Sequence, residues 1–127
     1  MKRLDKATDA QLRQIMAGKA TTVREIVAAS LERGARFRVT TEYGVFLFEV
    51  TGFFGTSVKA FVRRVDDRPI NPVIAMEPLR RGEYAMPDRI EAGNRFSYSA
   101  ITVLNNNEAP VLLPRKMSPS IRLELLE

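Results

Sequence analysis

The sequence predicts an α+β protein: two short N-terminal helices followed by a curled antiparallel β-sheet or small β-barrel of five to six strands. Two observations carry this expectation. Apolar residues recur at helical spacing as far as Gly34 and at a period of two from Ala35 onward. Turn-forming residues then break the second part at regular intervals. The expected organisation is an N-terminal helical segment over 1–34 and an antiparallel β domain over 35–127, together one compact domain of 127 residues.

The first helix is expected over about 8–17. Thr8-Asp9-Ala10-Gln11 fits a capping box, in which the Thr8 hydroxyl and the Gln11 side chain each take an orphan backbone N–H. Leu12, Ile15 and Met16 then form one apolar stripe, and Gly18 is a natural stop. A second helix is expected over about 22–33, starting at Thr22-Val23-Arg24-Glu25. Its stripe is Val23, Ile26, Val27 and Leu31, and Gly34 closes it.

Strands are expected at 36–41, 45–51, 57–65, 72–77, 95–104 and 119–126, all rich in β-branched and aromatic residues. Tyr43-Gly44 and Gly52-Phe53-Phe54-Gly55 separate the first three as hairpins. The charged stretch 78–94 carries Pro78, Gly82, Pro87 and Gly93 and reads as loop, with one helical turn near 88–92. Val45-Phe46-Leu47-Phe48-Glu49-Val50 is apolar on both faces apart from Glu49, the pattern of a central strand covered on both sides.

The usual parts of an enzyme are missing. Without histidine there is no imidazole base or imidazole metal ligand, and without cysteine there is no thiol nucleophile, disulfide or thiolate metal site. Asp66-Asp67 lies beside Arg63, Arg64 and Arg68 and reads as a surface turn with local ion pairs. No Walker-type loop or dinucleotide fingerprint occurs. We therefore expect a non-enzymatic protein with no cofactor and no metal. The basic N-terminus leads into Leu4-Asp5-Lys6-Ala7-Thr8-Asp9 rather than an apolar run, and no uncharged apolar stretch is long enough to span a bilayer. The expected location is cytoplasmic, with no membrane partner.

Charge points to a polyanion. The formal net charge is +5, and 15 of the 20 cations are arginine. Arginine forks onto phosphate and stacks on bases as lysine does not, although a codon bias toward arginine would produce the same excess. Strand 57–65 places Lys59, Phe61 and Arg63 on one face, a cation–aromatic–cation row able to hold phosphates and stack a base. The alternative is that Phe61 is core and the long cations reach around it. Arg36 and Arg38 share a face of strand 36–41, opposite Phe37 and Val39. If the first three strands pair in sequence, Arg36, Arg38, Lys59 and Arg63 line one surface, provided the register allows. Phe53 and Phe54 sit between glycines at a hairpin end, where they could stack on bases, meet another subunit or fold back on the core. Arg64, Arg80 and Arg81 complete the candidate phosphate contacts.

In composition alone, as a small basic β-rich chain with spaced aromatics, the sequence is similar to oligonucleotide-binding barrels. Its end departs from the acidic tail of bacterial single-stranded-DNA-binding proteins, because Ile121, Leu123 and Leu125 alternate as a strand would. The leading expectation is sequence-tolerant binding of single-stranded DNA or RNA by a homo-oligomer, a dimer or tetramer. The alternatives are a protein–protein interaction module, either an inhibitor of a cellular factor or a structural subunit, and a helix-turn-helix DNA-binding regulator. Two glutamates on the second helix weigh against the last.

Overall fold

A computed structural model describes residues 3–42, 44–54, 57–66, 81–95, 97–102, 111–116 and 120–127. The capping box forms: Gln11 N donates to Thr8 Oγ1 at 3.2 Å and Thr8 N donates to Gln11 Oε1 at 2.8 Å. It opens α1 (Asp9–Ala17), which is preceded by a 3-10 turn at Leu4–Lys6. Among the described residues α1 is the one α-helix.

The second expected helix does not form. Its residues make β1 (Ala20–Val23), β2 (Glu25–Val27) and a 3-10 turn at Ala28–Ser30. Thr21, Thr22, Val23, Ile26 and Val27 are β-branched and stiff at χ1, which favours extended backbone. β1 then gains a ladder with the C-terminal strand β10 (Ser120–Leu126), from Ala20 opposite Leu126 to Val23 opposite Leu123. Val23, Ile26 and Leu31 still reach one core, but from extended and turn backbone. Their helical spacing is therefore a misleading signal, overridden by tertiary pairing.

The remaining strands are β3 (Arg36–Thr41), β4 (Gly44–Phe54), β5 (Ser57–Arg64), β6 (Gly82–Ala85), β7 (Arg89–Glu91), β8 (Ser97–Thr102) and β9 (Val111–Lys116). Eight of the ten described strands form one sheet in the order β1-β10-β3-β4-β5-β6-β8-β9, and β2 pairs with β7 in a separate ribbon. Among the described residues all pairings are antiparallel. The expected barrel and strand count are thus corrected. Among the described residues β1 and β9 are the sheet edges and do not pair with each other. β6 and β7 occupy the stretch read as loop, and β7 replaces the helical turn expected near 88–92. Strands of three or four residues are too short to display a period of two. The strand expected at 72–77 lies outside the described residues.

Both sheet faces near β4 are covered. On one face Phe37, Val39, Phe46, Phe48, Ala60, Val62, Tyr98 and Leu123 form the main core. Phe37 and Phe48 oppose each other in register, and their rings stack at 4.8 Å. The β2–β7 ribbon closes this face with Ile26 and Ile90, which also oppose each other. On the other face Leu47 and Leu126 receive Leu4, whose exposure is 0%. Leu12, Ile15, Met16, Phe61 and Val65 pack around them. Central placement of β4 explains why its sequence is apolar on both sides.

Candidate nucleic-acid interface

The β3–β4–β5 register gathers the expected cations. Arg36 opposes Glu49, which opposes Phe61; Arg38 opposes Leu47, which opposes Arg63. Arg36, Arg38, Phe61 and Arg63 therefore share one face, and Lys59, two residues before Phe61, lies on it as well. This is the face that the N-terminal turn and α1 cover, so the cations sit within a packed polar network.

Each cation of the row has an internal partner. Arg36 Nε donates to Glu49 Oε2 at 2.7 Å, with side chains only 9% and 7% exposed. Glu49 Oε1 also accepts from Leu4 N at 3.1 Å, tying the turn to the sheet. Arg38 grips Glu124 of β10 in a two-pronged contact. That contact holds the Glu124 carboxyl below its usual range, against the opposing effect of burial. Lys59 lies 3.1 Å from Glu83, whose other oxygen accepts from Thr51 Oγ1. Arg64 pairs with Asp66 at 2.7 Å, a hydrogen bond that raises the arginine's pKa further. Asp66 also accepts from Val45 N, which ties the chain after β5 to the start of β4 at the base of the hairpin, while Asp67 and Arg68 of the expected turn lie outside the described residues.

Arg63 and Arg81 differ from the others. Arg63 Nη1 donates to the carbonyls of Leu4 and Ala7 at 3.2 and 2.7 Å. Arg81 donates to the carbonyl of Asp5, and its guanidinium lies 5.8 Å from the Phe61 ring centroid. Desolvation, helped by the charge of Arg81, lowers the pKa of Arg63. Phe61 is half-buried against the Leu4–Leu47 cluster.

Phe53 stands apart. It is 59% exposed, the one large hydrophobic side chain so exposed among the described residues. It lies beyond a bulge between Val50 and Gly52, near the end of the β4–β5 hairpin. The chain around Gly34 brings a cation to Gly52, the residue before Phe53. Gly34 adopts φ +88, a left-handed turn that glycine accepts without strain, and its N–H donates to Val50 O at 2.8 Å. This docks Arg33 beside β4: a Cβ built on Gly52 would lie 3.4 Å from Arg33 Nη2. Arg33 is exposed and forms no ion pair among the described residues. Lys6, Arg13, Lys19 and Arg24 are exposed and unpaired in the same sense. The side chain of Phe54 and the whole of Arg80 lie outside the described residues.

Sequence reasoning missed the partners rather than the cations. Glu49 is visible as the lone charge in an apolar strand, and Glu124 as the residue opposite in phase to Leu123 and Leu125. Arg33, read as helical, carries no signal of its approach to β4 at Gly52. The helix-turn-helix alternative falls with the second helix, since residues 22–33 present no recognition helix. Among the described residues no cluster of acidic side chains could hold a metal ion, and no helix is long and apolar enough to cross a membrane. No protein-family model, curated protein or solved structure matches the chain.

Proposed function

We propose that this protein binds single-stranded nucleic acid, and that Phe53 with Arg33 makes the primary contact at the end of the β4–β5 hairpin. The 59% exposure of Phe53, next along β4 to the Gly52 that the Arg33 guanidinium approaches, is the observation that carries the reading. An aromatic ring left in water gains by stacking on a base, and the neighbouring cation suits the adjoining phosphate. The net charge of +5 adds a long-range attraction for polyanions. Recognition is sequence-tolerant, because stacking and phosphate contacts carry little base information. The location that suits this role is the cytoplasm, and the active form is a homo-oligomer.

Fluorescence anisotropy with a labelled oligothymidylate at two salt concentrations tests the reading. Binding should weaken steeply with salt, as counterion release requires. Absence of binding at low salt, to single strands and duplex alike, overturns it. The competing reading is a protein–protein interaction module, favoured by the exposed edge of β1 at Ala20–Thr22. Recovery of one stoichiometric protein partner that survives nuclease and high salt would decide for that alternative.

A further inference from the structure

The N-terminal turn sits on its face as an anion would. Three carbonyl oxygens, those of Leu4, Asp5 and Ala7, converge on the guanidinium groups of Arg63 and Arg81. Neither arginine has a carboxylate within ion-pair distance among the described residues, whereas Arg36, Arg38, Lys59 and Arg64 each have one. Carbonyl dipoles are weaker acceptors for a guanidinium than charged oxygens are. The aromatic ring of Phe61 lies beside Arg81 and is covered by the same turn.

We propose that Phe61, Arg63 and Arg81 form a second single-strand contact, taking a phosphodiester between the guanidiniums and a base on the ring, which the Leu4–Lys6 turn occupies when no ligand is bound. The proposal rests on the nucleic-acid reading above and extends it to a site that the chain itself competes for. The competitor is held at few points, with Leu4 and Ala7 its buried residues. No residue of α1 is buried, and Leu4 is the deep anchor of the segment, with Glu49 accepting from its N–H. Displacing the turn together with Ala7 removes three carbonyls and replaces them with oxygens bearing charge. The apparent affinity at this site is its intrinsic affinity reduced by the fraction of time the turn is lifted.

The experiment measures labelled oligothymidylate binding to wild type, Leu4→Ala, Arg63→Ala, the Leu4→Ala/Arg63→Ala double variant and Phe53→Ala. Leu4→Ala loosens the competitor and should tighten binding about tenfold. Arg63→Ala should abolish that gain in the double variant and lower the salt slope by about one. Should Leu4→Ala fail to fold, hydrogen exchange on the wild-type protein gives the same answer. The Leu4 and Ala7 amides, which donate to Glu49 and to Leu4 O, should lose protection when oligothymidylate is added. Binding that depends on Phe53 but is unchanged by Leu4→Ala, or that leaves those amides protected, overturns the second contact and spares the first. Absence of binding in every variant overturns the nucleic-acid reading and this inference with it.

Discussion

Arg38 and Glu124 oppose each other in the β3–β10 ladder and meet through two parallel bonds, Nε to Oε1 at 2.9 Å and Nη2 to Oε2 at 2.6 Å. The contact joins residues 86 positions apart, so it bonds the C-terminal strand to the first strand of the central hairpin. Its side chains are 15% and 9% exposed, which makes the pair nearly interior. Arg122 approaches the same carboxylate at 3.1 Å from a more exposed position.

Removing one member of this pair should be costly. Arg38→Ala leaves Glu124 buried with only Arg122 beside it, and we expect a loss of about 3–5 kcal/mol in urea unfolding. The double replacement Arg38→Leu/Glu124→Leu should recover most of that loss, because well-packed apolar residues can replace a buried ion pair at little net cost. A loss below about 1 kcal/mol for Arg38→Ala would mean that the pair behaves as a surface contact.

The same pair sets an acid limit. The hydrogen bond from Arg38 is the main cause of the depressed Glu124 pKa, with the charges of Arg38 and Arg122 adding to it. A carboxyl whose folded pKa is depressed stabilises the fold above its unfolded value, near 4.5. That contribution is lost as the pH falls through the lower, folded value. Melting temperature should therefore drop as the pH falls below about 4.5, and Glu124→Gln should flatten that part of the curve. Parallel curves for the two proteins would remove Glu124 from the acid response.

What could be read from the sequence followed the length of the signal. β3, β4 and β5 are long enough to alternate over several residues, so their presence, their core aromatics Phe37, Phe46 and Phe48 and the shared face of Arg36, Arg38, Lys59 and Arg63 were legible, although β4 runs on through Gly52, Phe53 and Phe54, which were read as the hairpin turn. The capping box at Thr8 was legible because its chemistry is local. β1 and β2 were not, since a few β-branched residues fit a helical stripe as well as a strand until a distant partner such as β10 is supplied. The exposure of the cationic face was also beyond reach. It depends on Leu4 folding back onto Leu47 and on carboxylates brought from other strands, all long-range contacts.

Self-association should use the β1 edge. Ala20, Thr21 and Thr22 are exposed, uncharged and free of proline, so they lack the charged or proline gatekeepers that usually blunt a sheet edge. Light scattering at micromolar concentration should give a mass above the 14.3 kDa of one chain. Thr22→Lys puts a charge on that edge and should return the protein to the monomer. A monomeric mass for the unaltered protein overturns the prediction.

Phe53 and Phe61 should fail in different ways when cut back to alanine. Phe53 is 59% exposed, so Phe53→Ala should change stability by no more than about 0.5 kcal/mol. If it stacks on a base, oligothymidylate binding should weaken by about 1–3 kcal/mol. The salt slope should not change, because a ring neutralises no phosphate. Arg33→Ala should instead reduce the slope by about one. Phe61 packs against Leu4 and Leu47, so Phe61→Ala should lower the melting temperature before any effect on binding is considered. The two measurements, a thermal melt and a salt-dependent titration, separate a packing aromatic from a contacting one. A Phe53→Ala protein that melts and binds like wild type would leave the hairpin end without a role in nucleic-acid recognition.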